Sequence, residues 1–306
     1  MLTCDSYLSP LTLDDAFDAM ASATDEFRLI AGATDILPWA REGRAGDVHI
    51  PTLIDIAGIP ELRERSFREG RVRLGAATPF QRFLDDPMLR EAMPSLDCCA
   101  IWFADDQIRE SATIGGNIVN ASPAGDGIPP LLALDADVEL ASRRNGAIVR
   151  RRMPLAEFLN GPGRTELQPD EILVAIEADA LPDHGGAFEK VGHRRSLVIS
   201  VACVAAVVRL DTSRSRFEDV RIGIGGVGPV AIRYHEAENI LRGKPIAAEC
   251  IEEAAQTAGT LVQSRSRQAY RRGVLEGFVV RALLEAAKDA GGDPHALVPT
   301  LEEGYA

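Results

Sequence analysis

Apolar and polar positions in the first half of the chain alternate between two rhythms. Thr12 stands before Leu13-Asp14-Asp15-Ala16-Phe17, a hydroxyl with an acid three residues on, which predicts a capped helix running towards Ala23. Phe27-Arg28-Leu29-Ile30-Ala31 then reads as a strand that stops at Gly32-Ala33-Thr34-Asp35, and Thr52-Leu53-Ile54-Asp55-Ile56 as the next strand. Residues 71–77 alternate charged with apolar side chains, again strand-like. Thr78-Pro79 predicts another helix start, because proline suits the first helical position behind a hydroxyl cap.

Further on the pattern turns to strands. Val138-Glu139-Leu140 and Ala147-Ile148-Val149 flank Arg143-Arg144-Asn145-Gly146, and Asn-Gly predicts a tight hairpin. After the break at Gly161-Pro162-Gly163, Glu171-Ile172-Leu173-Val174-Ala175-Ile176 has the β-branched, apolar character of a strand. Pro182-Asp183-His184-Gly185-Gly186 is short, polar and rich in chain breakers, which makes it a candidate domain boundary. Beyond it come an apolar run over 197–210, a strand over 220–224, and helices over 234–241, 247–262 and 270–287. The last puts Val274, Leu275, Phe278, Val279, Ala282, Leu283 and Ala286 on one stripe and is stopped by Gly291-Gly292.

Composition narrows the function. A chain of 306 residues with 46% hydrophobic and 26% charged residues has room for two or three packed domains. The longest apolar stretch, 197–208, is interrupted by Ser200 and falls short of the roughly 20 residues that span a bilayer. The first residues have neither the basic nor the apolar segment of a secretory leader, so a cytoplasmic location is expected. A net charge of −13 repels phosphate backbones and argues against nucleic acid as a partner. Five cysteines without a C-x-x-C pair, and histidines without H-x-x-x-H spacing, predict no zinc, haem or iron–sulfur cluster on this chain. Cys98-Cys99, beside Ala100-Ile101-Trp102-Phe103, reads as buried free thiols.

Two glycine-centred segments carry the chemistry. Ala31-Gly32-Ala33-Thr34-Asp35 follows a strand; Thr113-Ile114-Gly115-Gly116-Asn117 precedes Asn120-Ala121-Ser122-Pro123-Ala124-Gly125-Asp126. Either alone is what an ordinary tight turn requires. Together they suggest backbone N–H groups gripping a diphosphate from two sides without a lysine, as a dinucleotide site demands. A third segment, Gly223-Ile224-Gly225-Gly226-Val227-Gly228, satisfies G-x-G-x-x-G, but Pro229 follows at once and no βαβ unit surrounds it, so a Rossmann site is rejected.

Over nearly its whole length the chain resembles the FAD-binding subunits, or FAD domains, of the molybdenum hydroxylases, the xanthine, carbon monoxide and aromatic N-heterocycle dehydrogenases. Residues 31–38 are similar to that family's A-G-G-T-D-L-L-P loop. Residues 113–134 are similar to its T-I-G-G-N-x-x-N-A-S-P-x-x-D-x-x-P-x-L-L-A-L segment. Likeness continues through Asp170-Glu171-Ile172-Leu173, Phe188-Glu189-Lys190 with Arg194-Arg195 behind it, Ile224-Gly225-Gly226-Val227-Gly228-Pro229, Tyr270-Arg271-Arg272 and Arg281-Ala282-Leu283. One departure is Ala33, where many relatives have a second glycine.

The resemblance implies an α+β protein. It would have a two-subdomain FAD-binding fold of the vanillyl-alcohol-oxidase (PCMH) type over residues 1–58 and 59–181, and a C-terminal α+β domain over 182–306. It implies one non-covalent FAD, with Leu29, Ile30, Ala31, Gly32, Ala33, Thr34, Asp35 and Ile36 on one side of the diphosphate and Thr113, Ile114, Gly115, Gly116 and Asn117 on the other. Ser122 joins that set, Asp126 would accept a sugar or ribityl hydroxyl, Phe103 and Leu173 would line the flavin and adenine regions, and Lys190 would lie beside the flavin. From the residues alone, Phe103 and Leu173 equally suit plain core packing, Lys190 a solvated surface charge and Asp126 a turn. Molybdenum cofactor and [2Fe–2S] clusters would reside on a large and a small partner subunit, assembled as a dimer of heterotrimers, and this chain would pass electrons to an external acceptor. A stand-alone FAD-dependent oxidoreductase, or a flavin-binding module, is the alternative.

Overall fold

The computed structural model describes residues 2–41, 48–194, 197–263 and 266–293. At the N-terminal end, strands β1 (Ser6–Leu8), β2 (Phe27–Ile30) and β3 (Thr52–Asp55) form a parallel sheet in the order β1-β3-β2. Helix α1 (Leu13–Ser22) begins where the Thr12 hydroxyl accepts the Asp15 N–H at 3.1 Å, and it buries Leu13, Ala16, Phe17 and Met20, an i, i+3, i+4, i+7 stripe. That stripe packs with Ile54 of β3 and with Ala141, Ile172 and Val174 of the neighbouring sheet. Helix α2 (Ile36–Arg41) follows the first glycine loop.

The second sheet is antiparallel. Its strands are β4 (Arg65–Arg68), β5 (Arg71–Gly75), β6 (Asp137–Arg144), β7 (Ala147–Pro154) and β8 (Glu171–Asp179), in the order β4-β5-β8-β6-β7. The β6–β7 hairpin turns at Asn145 (φ 52°) and Gly146 (φ 78°), the left-handed pair that Asn-Gly favours. Between β5 and β6 the chain runs through α3 (Leu96–Trp102), α4 (Asp106–Ser111), α5 (Ile114–Val119) and α6 (Ile128–Ala133). The helix expected at Thr78-Pro79 is not there: Pro79 bridges Thr113, the Phe80 N–H donates to Ala112 O and the Ile114 N–H donates to Thr78 O, both at 3.0 Å. Pairing with the second loop takes the backbone that a helix would have needed, and a short helix starts only at Arg82.

The last sheet, β9 (Gly185–Val191), β10 (Ala202–Leu210), β11 (Phe217–Gly225) and β12 (Ile232–Arg233), is an antiparallel meander in chain order. The apolar run has its reason here. Cys203, Ala205 and Val207 of β10 face the main core with α6, while Ala202, Val204, Ala206 and Val208 face a second core built from α7 (His235–Leu241), α8 (Ala248–Gln256) and α9 (Gln268–Asp289). The helix read over 247–262 is α8 followed by a 3-10 turn, Thr257–Leu261. On α9, Leu275, Val279, Ala282, Leu283 and Ala286 are buried and Val274 and Phe278 half-buried, and Gly291 (φ 83°) and Gly292 donate back to Lys288 O and Ala287 O. The G-x-G-x-x-G segment ends β11, which lies antiparallel to both neighbours, so no dinucleotide crossover exists there. Instead Gly226 (φ 81°) passes so close to Val201 that a Cβ would lie 2.9 Å from its carbonyl, and its N–H donates to Pro123 O at 2.7 Å.

Charged side chains tie these parts together. Arg221 of β11 pairs with Asp219, Asp135 and Asp179 of β8 at 2.9, 3.2 and 2.9 Å, and Asp179 also holds Arg71 of β5 at 2.9 Å. Glu139, 4% exposed on β6, faces Arg73, Arg150 and Arg152 at 3.0, 2.8 and 3.0 Å. Burial alone would raise its carboxyl; hydrogen bonds from Arg73 and Arg150 outweigh that and bring it from the ordinary 4.5 down to about 2. A depressed carboxyl contributes stability that is complete above its unfolded value and fades as pH falls through the folded one. The Glu139→Gln variant should therefore be less stable than wild type at pH 7 and approach it near pH 2. Urea midpoints at the two pH values check this, and an equal deficit at both contradicts it.

Candidate functional site

Sequence places the two glycine loops about eighty residues apart, and the fold packs the first against Ser111 and Ala112, directly ahead of the second. A Cβ on Gly32 would lie 1.9 Å from Ser111 O, so glycine is required for the first loop to lie on the end of α4, immediately before the second loop. Ala33 has φ 54°, the left-handed conformation that costs an alanine on the order of 1 kcal/mol. Alternating backbone signs of this kind turn successive N–H groups to one side. Among the described residues, no acceptor meets the N–H groups of Gly32, Ala33, Thr34 and Asp35. Gly32, Ala33 and Thr34 are half-buried and Asp35 is exposed, while Leu29 and Ile30 pack behind them and Ile36 is buried.

The second loop differs in a way its glycines do not reveal. Four of its five amides are already committed: Ile114 to Thr78 O, Gly115 to Ala76 O, Gly116 to the Thr113 hydroxyl at 3.0 Å and Asn117 to Thr113 O. Thr113 thus caps α5, and the Asn117 side chain accepts the Gly127 N–H at 3.2 Å, which fastens the loop to the Asp126 turn. Within that turn the Ser122 hydroxyl accepts the Ala124 N–H. The run of free donors therefore lies on the first loop, while in the second only the Thr113 N–H has no acceptor among the described residues.

Asp126 and Lys190 occupy places unlike those that residue type suggests. Asp126 is 6% exposed, with one carboxylate oxygen 2.6 Å from Lys190 Nζ and the other 2.6 Å from the Ser200 hydroxyl. Lys190, on β9, has a side chain only 4% exposed, so it is no solvated surface charge. Burial pushes the Asp126 carboxyl upwards, against the pull of Lys190 and Ser200. Cys99 Sγ donates to Asp126 O at 3.2 Å and Cys98 Sγ to Gly186 O at 3.8 Å; both are free thiols, and burial pushes Cys98 up to about 12. Neither is a nucleophile at neutral pH.

Lys190 forms part of the wall of an open groove of about 350 Å³ with Trp102, His193 and Val198. A wider hollow of about 490 Å³, at Ala57, Gly58 and Arg63, carries none of the expected site residues. Phe103 stacks face to face on Phe80, with centroids 3.9 Å apart and planes 3° from parallel, and its carbonyl accepts from the nearly buried Arg109 at 3.1 Å. Leu173 is 5% exposed in the main core, in the same buried cluster as Ile114 of the second loop, and the backbone bonds Ala76 N–H to Val174 O and Gly115 N–H to Ala76 O tie its strand to that loop. Ser200, Phe80 and Arg109 are the residues that sequence reasoning missed. Only Ser200 left a signal, as the polar interruption of an apolar run. Arg195, behind Lys190, lies outside the described residues.

Comparison with known proteins follows the same lines. Residues 3–178 match the family described as the FAD binding domain in molybdopterin dehydrogenase, and residues 187–286 the carbon monoxide dehydrogenase flavoprotein C-terminal domain. The xanthine dehydrogenase FAD-binding subunit of Escherichia coli O157:H7 is 32% identical over 94% of this chain and 97% of its own. The nicotine 6-hydroxylase medium subunit of Paenarthrobacter nicotinovorans is 29% identical over 92% and 96%. A solved structure of carbon monoxide dehydrogenase from Hydrogenophaga pseudoflava superimposes with a TM-score of 0.81 at 29% identity, covering 92% of this chain and 96% of that one. The fold is the α+β FAD-binding architecture with its C-terminal domain. The chain belongs to the family of FAD-binding subunits of the molybdopterin dehydrogenases.

Proposed function

We propose that this chain holds one FAD without a covalent link and serves as the electron-transfer subunit of a molybdenum hydroxylase. The observation that carries the reading is the row of four unengaged amides at Gly32, Ala33, Thr34 and Asp35, packed against Ser111 and Ala112 just ahead of the second loop. Four unengaged N–H donors around a left-handed residue suit a diphosphate, whose charge needs donors. Thr113, Gly115, Gly116 and Asn117 keep that cradle rigid, and Leu29, Ile30, Ala31 and Ile36 seat it on β2 and α2. Lys190 offers the groove a positive charge beside the flavin ring, and Asp126, held inside, acts on the cofactor through Lys190 as well as through its remaining lone pairs. Phe103, Leu173 and Ser122 complete the set as packing and turn residues.

The bound flavin supplies the acceptance and release of electrons. The chain's own residues bind, orient and shield it, and none is assigned as general acid, base or nucleophile. On this reading a small partner brings electrons through [2Fe–2S] clusters, and a large partner oxidises the substrate at molybdenum. Two such heterotrimers pair, with residues 1–58, 59–181 and 182–306 as the three units of this chain. Among the described residues no helix is long and apolar enough to cross a membrane, and all five cysteines are free, which supports a reducing, cytoplasmic setting. The test is division of labour. The isolated chain should reduce no dye with any organic substrate, whereas the complex co-purified from its host should. Substrate-dependent dye reduction by the chain alone would point to the stand-alone oxidoreductase instead.

A further inference from the structure

We propose that Ser200 is a positioning residue that sets Lys190 against the flavin by fixing the Asp126 carboxylate between them. This rests on the FAD reading above. The geometry is a buried relay: Ser200 hydroxyl to Asp126 Oδ1 at 2.6 Å, then Asp126 Oδ2 to Lys190 Nζ at 2.6 Å, with Ser200 and Asp126 each 6% exposed. Lys190 ends the relay, in the wall of the groove with Trp102 and with a side chain 4% exposed. A lysine on four rotatable bonds has no fixed direction of its own, whereas one whose ammonium is gripped by a carboxylate that is itself gripped does.

Ser200 is also held in place by its surroundings. It lies ahead of β10 in no regular element, yet the Val201 N–H donates to Val191 O at 2.7 Å, and Arg271 of α9 donates to both Val201 O and Gly226 O. Gly226 in turn donates to Pro123 O, three residues before Asp126. The segment that carries Ser200 and the turn that carries Asp126 are thus strapped to the same short stretch of backbone. A hydroxyl interrupting an otherwise apolar run would be an unexplained cost if it only filled space. Facing a buried carboxylate, it is what keeps that carboxylate from rotating away from Lys190.

The experiment uses the full chain saturated with FAD and reads FAD affinity by fluorescence titration and the flavin midpoint potential by dye equilibration. Ser200→Ala should weaken FAD binding by roughly three- to tenfold, since one charge-assisted bond in the relay is lost and its effect reaches FAD only in part. The midpoint potential should move negative, because a positive charge that wanders from the ring favours the reduced flavin less. Ser200→Thr, which keeps the hydroxyl, should restore both. In a Lys190→Met background the Ser200→Ala change should alter neither reading, as a relay through Lys190 demands. Should Ser200→Ala fail to fold, the Thr and Val variants at the same position carry the comparison with and without a hydroxyl. The proposal is overturned if Ser200→Ala leaves affinity and potential at wild-type values, or if it shifts them equally with and without Lys190. Wild-type chain that takes up no FAD overturns the FAD reading itself, and is recognised before any variant is made.

Discussion

Asp126→Ala should cost this protein both stability and cofactor. The substitution leaves the Lys190 ammonium, 4% exposed, without its partner, and stranding one member of a buried ion pair costs about 3–5 kcal/mol. An open turn residue would lose far less. The apo protein should therefore melt well below wild type, and FAD affinity should fall by roughly ten- to over a hundredfold as the relay from Ser200 to Lys190 collapses. Thermal melts with and without saturating FAD, beside a fluorescence titration, read the two effects separately. An unchanged apo melt would mean that the ion pair contributes nothing to folding; an unchanged affinity would take Asp126 out of the site.

Gly32→Ala tests the cradle. The added methyl would lie 1.9 Å from Ser111 O and 2.6 Å from its carbonyl carbon, both backbone atoms that cannot swing aside. The loop must lift, at about 1–3 kcal/mol of overpacking. Loss of two amide–phosphate bonds, each worth about 1.5–3 kcal/mol, would weaken FAD binding by roughly a hundredfold or more. Gly273→Ala, on α9 with nothing within 4 Å of its Cβ, is the control and should be neutral or stabilising by about 0.5–1 kcal/mol. If Gly32→Ala binds FAD like wild type, the first loop does not carry the diphosphate.

Much of the local structure was legible because its causes are local. The Thr12 cap, the Asn145-Gly146 turn and the α9 stripe each lie within a few residues of what they determine, and all three stand as read. Thr78-Pro79 misled for the opposite reason: its backbone is claimed by Ala112 and Ile114, and no pattern near residue 78 announces them. The same limit governs the site. The glycine motifs identified which two loops come close, but not that the first leaves four successive amides free while the second engages those of Ile114 to Asn117, since that depends on Ala76 and Thr78 as acceptors. Lys190 reads as surface because the carboxylate that lets it be buried, Asp126, is 64 positions away; Ser200 stands 74 away from the same carboxylate. Such pairings require the meander to fold back over the second loop.

The most direct test of the central claim is the flavin itself. Purified chain, alone or supplied with FAD, should be yellow with one FAD per chain, and acid precipitation should release all the colour into the supernatant, because neither loop offers a cysteine or histidine for attachment. Chromatography of that supernatant should show FAD. Protein that takes up no flavin, flavin that stays with the pellet, or FMN in place of FAD would contradict the account.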